Sequence, residues 1–177
     1  MPNDVDSELL ERFVHGDRDA FEWLFRSFER EVHRWILRIV RDPSAADDVL
    51  VEAFWRAYRG RARFDPERSF GAWMRRIATN AALDQLKRQG PAVDSRPVDD
   101  AIQSPDTPDR GILEYVAIAL RKLPAKLQIV ATLALIEQQP YQEIADALDL
   151  PVGTVKSRVF RATRTLRKEL ERMGIRP

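Results

Sequence analysis

The residues best equipped for chemistry lie near the end of the chain, where Lys156, Ser157, Arg158, Phe160, Arg161 and Arg164 follow a tight Leu150-Pro151-Val152-Gly153 turn. They bring cations and hydrogen-bond donors to one segment. From Thr154 to Lys168 there are six basic residues and no acid, a one-sided stripe that a duplex backbone rewards through counterion release. A solvated basic face on the last helix of a bundle is the bland alternative. What favours DNA is the setting. Val155, Val159, Ala162, Leu166 and Leu170 recur at helical spacing and form one apolar stripe, so the basic residues point away from it. Just upstream, Tyr141 to Leu148 makes a short amphipathic helix, joined through Asp149-Leu150-Pro151. Helix, short turn and basic helix make a helix-turn-helix, whose second helix enters the major groove.

A second chemistry-bearing segment runs from Phe70 to Arg88. Phe70, Trp73, Ile77 and Ala81 can face a core, while Arg76, Asn80, Asp84 and Arg88 form an i, i+4 row along another side. Cations with an amide that can address base edges suit a melted strand. Ion pairing among Arg76, Asp84 and Arg88, with Asn80 incidental, accounts for the same spacing equally well.

These segments must be positioned by helices. Apolar residues recur at helical spacing from Leu9 to Val14, Ala20 to Val40, Ala45 to Tyr58 and Phe70 to Leu86, and helices are expected again at about 112–122, 124–137, 141–148 and 152–172. Asp19 with Glu22 fits a capping box, and Asp42-Pro43-Ser44 separates the second helix from the third. Pro124 and Pro140 suit first helical positions. No stretch alternates with period two, so the expected fold is all-α: two small helical domains, 1–90 and 112–177, joined by a flexible linker, 91–111. That linker holds Pro91, Pro97, Pro105 and Pro108 among Asp, Ser and Thr, a composition unable to bury a core.

Composition sets outer limits. The 177 residues, 44% of them hydrophobic, can fill one ordinary core or two small ones. The net charge of +1 averages opposed segments. Residues 1–60 carry nine basic and thirteen acidic side chains, 61–88 seven and three, 91–112 two and five, and 121–177 eleven and six. Basic and acidic surfaces therefore alternate. Without cysteine there are no disulfides or thiolate metal sites. The opening Met1-Pro2-Asn3-Asp4 lacks a basic and apolar signal, and no apolar run could span a bilayer, so a soluble, cytoplasmic protein without membrane insertion is expected.

Taken together, three ordered segments resemble the bacterial RNA polymerase sigma factors of the extracytoplasmic-function group. Asp42 to Val49 followed by Glu52-Ala53-Phe54 resembles that family's polymerase-binding helix. Phe70 to Arg88 matches its F-x-x-W-[LM]-x-x-I-A-x-N-x-x-x-D pattern. Leu123-Pro124, Tyr141 to Ala145 and Pro151 to Arg158 match its carboxy-terminal DNA-binding domain. Val51 stands where the family usually has Gln, Asp149 where a Gly is frequent, and Pro140 where Ser or Thr is usual. Asp tolerates left-handed geometry, whereas Pro140 removes the usual side-chain cap.

The resemblance implies a sigma region 2 domain, a sigma region 4 domain and a division of labour. Asp47, Asp48 and Glu52 would dock on the clamp helices of the largest polymerase subunit, and the flap of the second-largest subunit would be a further contact. The loop Arg61 to Ser69 would hold a base extruded from the minus-ten element. Arg61, Arg63, Phe64, Ser69, Trp73, Arg76, Asn80, Asp84 and Arg88 form the expected minus-ten surface. Lys156, Ser157, Arg158, Phe160, Arg161 and Arg164 would read the minus-thirty-five duplex, and the acidic linker could occupy the later path of nascent RNA. A separate anti-sigma protein is implied as partner, since nothing after Pro177 offers a built-in regulatory domain. No cofactor and no catalytic residue are expected.

Two other classes fit parts of the chain. An ordinary helix-turn-helix regulator could own the second domain, but it would more often bring a ligand-binding, receiver or dimerisation domain. A metal or hydrolytic enzyme finds little support: His15 and His33 are far apart, read as surface positions, and have no acidic cluster at ligand spacing. The four tryptophans are expected mostly in the core, with Trp73 the one placed near DNA.

Overall fold

The computed structural model describes residues 5–89 and 108–175, with backbone alone over 108–113. The described residues are all-α, without a strand. The chain divides into two compact units.

Before residue 90 lie α1 (Ser7–Val14), α2 (Arg18–Val40), α3 (Pro43–Gly60) and α4 (Phe70–Gln89), with a 3-10 turn over Arg61–Arg63. Short polar residues start these helices by accepting otherwise orphaned N–H groups. Asp6 accepts from Glu8, and Asp42 from Ala45 at 2.9 Å with Pro43 entering the first turn behind it. Asp17 caps α2, accepting from Asp19 at 2.8 Å and Ala20 at 3.1 Å. The cap is thus two residues earlier than expected, and with Ala20 at its third helical position it makes no capping box with Glu22. Asp19 lies inside the first turn, where its charge faces the positive end of the helix dipole. Gly16, at φ 90, closes α1 in a Schellman turn: its own N–H bonds Phe13 O at 2.9 Å and that of Asp17 bonds Arg12 O at 3.0 Å.

α2 packs along α3. Leu24, Phe28 and Ile36 of α2 and Ala46, Val49, Ala53 and Phe54 of α3 are all buried. An aromatic cluster fastens the other elements to it. Phe70 meets Phe13 edge-on at 5.5 Å, Phe28 at 5.1 Å and Phe64 at 5.7 Å. The tryptophans divide differently from the expectation. Trp35 is buried and Trp73 half-buried, but Trp23 and Trp55 are exposed.

After residue 107 come α5 (Pro108–Arg121), α6 (Ala125–Ala131), a π-helical segment Thr132–Ile136, α7 (Tyr141–Leu148) and α8 (Val152–Arg172). α8 packs on α6 and α5 around Ala119, Leu120, Leu123, Ala131, Ala162 and Leu166. Pro124 and Pro140 each sit one residue before their helix and supply a carbonyl to its first turn, to Gln128 at 2.9 Å and Ile144 at 3.1 Å. They are caps, not first helical residues. α5 starts at Pro108, four residues inside the expected linker, and the rest of that linker lies outside the described residues.

Asp149 ends α7 with φ 55. Its N–H bonds Asp146 O at 3.4 Å and that of Leu150 bonds Ala145 O at 2.9 Å, a Schellman pair built without glycine. The carbonyl of Pro151 then receives Thr154 and Val155 at 2.8 and 3.2 Å, and α8 begins.

Candidate nucleic-acid interface and docking face

α8 separates its two faces as its sequence requires. Val155, Val159, Ala162 and Leu166 are buried, while Lys156, Ser157, Phe160, Arg161 and Arg164 are exposed and Arg158 is half-buried. Phe160 is 70% exposed, a large aromatic left in water at the centre of a cationic face. Ser157 Oγ donates to Thr154 O at 2.9 Å, which fixes its rotamer and leaves its lone pairs outward. The face therefore offers guanidinium and ammonium donors, one hydroxyl and one apolar ring, a set matched to base edges and phosphates.

In the segment Arg61 to Arg88 the structure sorts the expected minus-ten residues into three groups. Arg63, Ser69, Arg76, Asn80 and Arg88 are exposed, and Trp73 is half-buried against Phe64 at 4.8 Å. Phe64 is only 5% exposed, so it forms a floor beneath Trp73 and cannot meet a base itself. Arg61 also turns inward. Its guanidinium lies 4.5 Å from the Tyr58 ring, Nη1 donates to Tyr58 O at 2.8 Å, and a Cβ at position 16 would approach Nη2 to 3.0 Å. Gly16 thus leaves room for an arginine that braces the 3-10 turn rather than a nucleic acid. Asp84 has a partner that neither sequence reading named: its carboxylate accepts from Arg56 of α3 at 2.8 Å.

The loop between Phe64 and Phe70 is shaped by its own side chains. Asp65 accepts from the backbone of Glu67 at 3.1 Å and from Arg68 Nε at 3.2 Å, and Ser69 Oγ accepts from Ala72 N at 3.3 Å, starting α4. A cavity of about 180 Å³ opens between Pro66–Phe70 and the side of Val5 and Leu10.

On α3 the buried positions Ala46, Val49, Ala53 and Ala57 face α2, which leaves Asp48, Val51, Glu52, Trp55 and Arg59 along the outer side. Val51 is 66% and Trp55 52% exposed. Arg59 lies 5.7 Å over the Trp55 ring, and Trp55 stacks on Tyr58. Neither apolar residue was expected in a docking surface, although their spacing at i and i+4, out of phase with Val49 and Ala53, gave the signal. Asp47 pairs with His33 of α2 at 3.0 Å. Glu52 accepts from Arg56 Nε at 2.7 Å and has Arg59 at 3.9 Å. The Arg56 guanidinium is held more firmly in its charged form than usual, first by Glu52 and then by Asp84. Among the described residues no group of His, Asp and Glu could hold a metal ion, and no helix is long and apolar enough to cross a membrane.

Residues 24–91 match the sigma-70 region 2 model and residues 113–166 the sigma-70 region 4 model. The chain belongs to the extracytoplasmic-function sigma factors. It is 32% identical to the RNA polymerase sigma-H factor of Pseudomonas aeruginosa over 97% of its own length and 96% of the relative's. To the ECF RNA polymerase sigma-E factor of Escherichia coli it is 33% identical, covering 94% and 95%. Among solved structures, CnrH in complex with the cytosolic domain of CnrY aligns at TM-score 0.58 with 27% identity, over 95% of this chain and 98% of that one. The sigma factor RpoE of Bartonella quintana, solved with the anti-sigma factor NepR, shares the fold at TM-score 0.52 and 20% identity, over 85% and 96%. As a sigma factor, the chain serves transcription initiation.

Proposed function

We propose that this sigma factor binds core RNA polymerase through the outer side of α3 and directs it to promoters by reading duplex at minus thirty-five and melted strand at minus ten. The observation that carries the reading is the division of α8, where an apolar stripe is consumed by the core and Lys156, Ser157, Phe160, Arg161 and Arg164 remain outside. Such a helix fits the major groove, with cations on phosphate and donors on base edges.

The region 2 domain supplies the step a repressor lacks. Arg63, Arg76 and Arg88 meet the strand backbone, Asn80 addresses a base edge, and the cavity beside Pro66–Phe70 receives an extruded base. Docking uses Asp48 and Glu52 for charge, with Val51 and Trp55 adding apolar area at the centre. The region 4 domain meets the flap of the second-largest subunit. The likeness to CnrH, solved with the cytosolic domain of CnrY, supports a separate protein partner, which we take to be an anti-sigma factor. The domains span 1–90 and 112–177, and the protein acts in the cytoplasm.

The test is binding to core polymerase. Replacing Asp48 and Glu52 together by Lys abolishes capture of the core enzyme while helicity by circular dichroism is kept. Undiminished capture with native helicity places the docking surface elsewhere.

A further inference from the structure

The Arg56 guanidinium joins the docking helix to the DNA-facing helix. Nε donates to Glu52 Oε1 at 2.7 Å within α3, and Nη1 donates to Asp84 Oδ2 at 2.8 Å on α4. All three side chains are partly sheltered, with 31% of Arg56, 38% of Glu52 and 42% of Asp84 exposed. One cation is therefore shared by two carboxylates whose assigned roles differ. Glu52 lies on the strip that meets polymerase, and Asp84 stands in the row with Arg76, Asn80 and Arg88 that meets the melted strand.

We infer that Arg56 is a positioning residue through which the state of Glu52 sets how far the charge of Asp84 is neutralised, so that docking and strand binding are coupled. The inference rests on the functional reading above. An acid beside a phosphate-bearing strand opposes binding, and a bonded guanidinium removes most of that opposition. While Arg56 is divided, Asp84 keeps part of its charge. A cation from polymerase that pairs with Glu52 frees the Nε end of the fork, and Arg56 settles on Asp84. Strand affinity rises, and by reciprocity a bound strand raises affinity for the partner of Glu52. The coupling needs a planar fork that bonds two carboxylates at once, which a lysine ammonium on a flexible stem does not reproduce.

The test uses the full-length protein and a labelled single-stranded oligonucleotide of randomised sequence, titrated at fixed salt by fluorescence anisotropy. Glu52→Gln imitates a neutralised Glu52, and it raises strand affinity roughly two- to fivefold, the size of a single partly exposed charge interaction. In an Arg56→Lys or an Asp84→Asn background the same change has no such effect. A rise of equal size in those backgrounds is the ordinary consequence of deleting a negative charge and overturns the coupling, as does a Glu52→Gln protein with unchanged strand affinity. Arg56→Lys keeps the net charge, and near-native helicity identifies it as folded. Capture of core polymerase by the same variants reports on docking separately. Loss of the strand effect with docking intact removes the coupling alone, and loss of any docking role for Glu52 with the strand effect intact removes the docking assignment and with it the coupling to polymerase, leaving only the electrostatic link between Glu52 and Asp84.

Discussion

The indole N–H of Trp35 on α2 donates to Thr79 Oγ1 on α4 at 2.9 Å, and both side chains are buried. Thr79 passes the bond on, donating to Arg75 O at 2.7 Å, while the Arg75 guanidinium lies 4.9 Å over the Trp35 ring and reaches Glu31 at 3.8 Å. This polar stitch through an apolar interface fixes the rotation of α4, and with it the face that carries Asn80. Thr79→Val keeps the shape and removes the acceptor, leaving a buried donor unpaired. The expected loss is about 1–3 kcal/mol in urea unfolding, with Thr79→Ser losing less because its hydroxyl remains.

Asp17 gives a pH-dependent contribution. Its carboxylate accepts from the Ala20 and Asp19 backbone and from Arg12 Nε at 2.8 Å. It is thereby held below the ordinary carboxylate range, first by the Ala20 bond and then by Arg12. A carboxylate with a lowered folded-state pKa stabilises above its unfolded value of about 3.9, and the contribution fades as pH falls through the lower folded value. Asp17→Ala should therefore melt below the wild type at neutral pH, and the gap should narrow progressively as pH is lowered below the unfolded value of about 3.9. A gap that persists in acid would mean that the carboxylate charge is not what caps α2.

On the recognition helix, Arg161→Ala should cost about 1–3 kcal/mol of promoter-duplex affinity and relax selectivity among sequences, as expected of a base-edge contact. Lys156→Ala should weaken all duplexes alike and lower the salt slope by about one. Titrations across a salt series distinguish the two. Unchanged affinity for either variant removes that residue from the interface.

Asn80→Ala should leave polymerase capture and duplex binding intact while suppressing open-complex formation. The defect should shrink on a template already mismatched at minus ten, since the unpairing cost of a few kcal/mol is then partly removed. Permanganate reactivity of unpaired thymines reads this directly. Normal opening on the matched template would sink the assignment of Asn80.

Helix content was readable because the helices repeat apolar residues at their own period and start on Asp or Pro, or in α4 on Ser69. The caps slipped by one or two residues where neighbouring candidates compete, as Asp17 and Asp19 do. What periodicity could not reveal was direction within a segment. Arg61 and Arg63 are alike in type and nearly adjacent, yet one braces Tyr58 and the other faces water. That difference depends on Gly16, forty-five residues upstream, and on no local pattern. Asp84 likewise looked like a partner for its own helix, and its bond to Arg56 is set by how α3 meets α4. The exposed Val51 and Trp55 were legible as a phase violation but resembled ordinary helix filling.

Phe64 and Phe70 pin both feet of the loop between α3 and α4 in the aromatic core, 5.7 Å apart, while Asp65, Glu67, Arg68 and Ser69 stay in solvent. Stability is invested in the anchors and very little of it in the span. Evolution can therefore rewrite the span at small thermodynamic cost. On the proposed reading of this loop, the base it accepts can change with a handful of residues while the scaffold stays as it was.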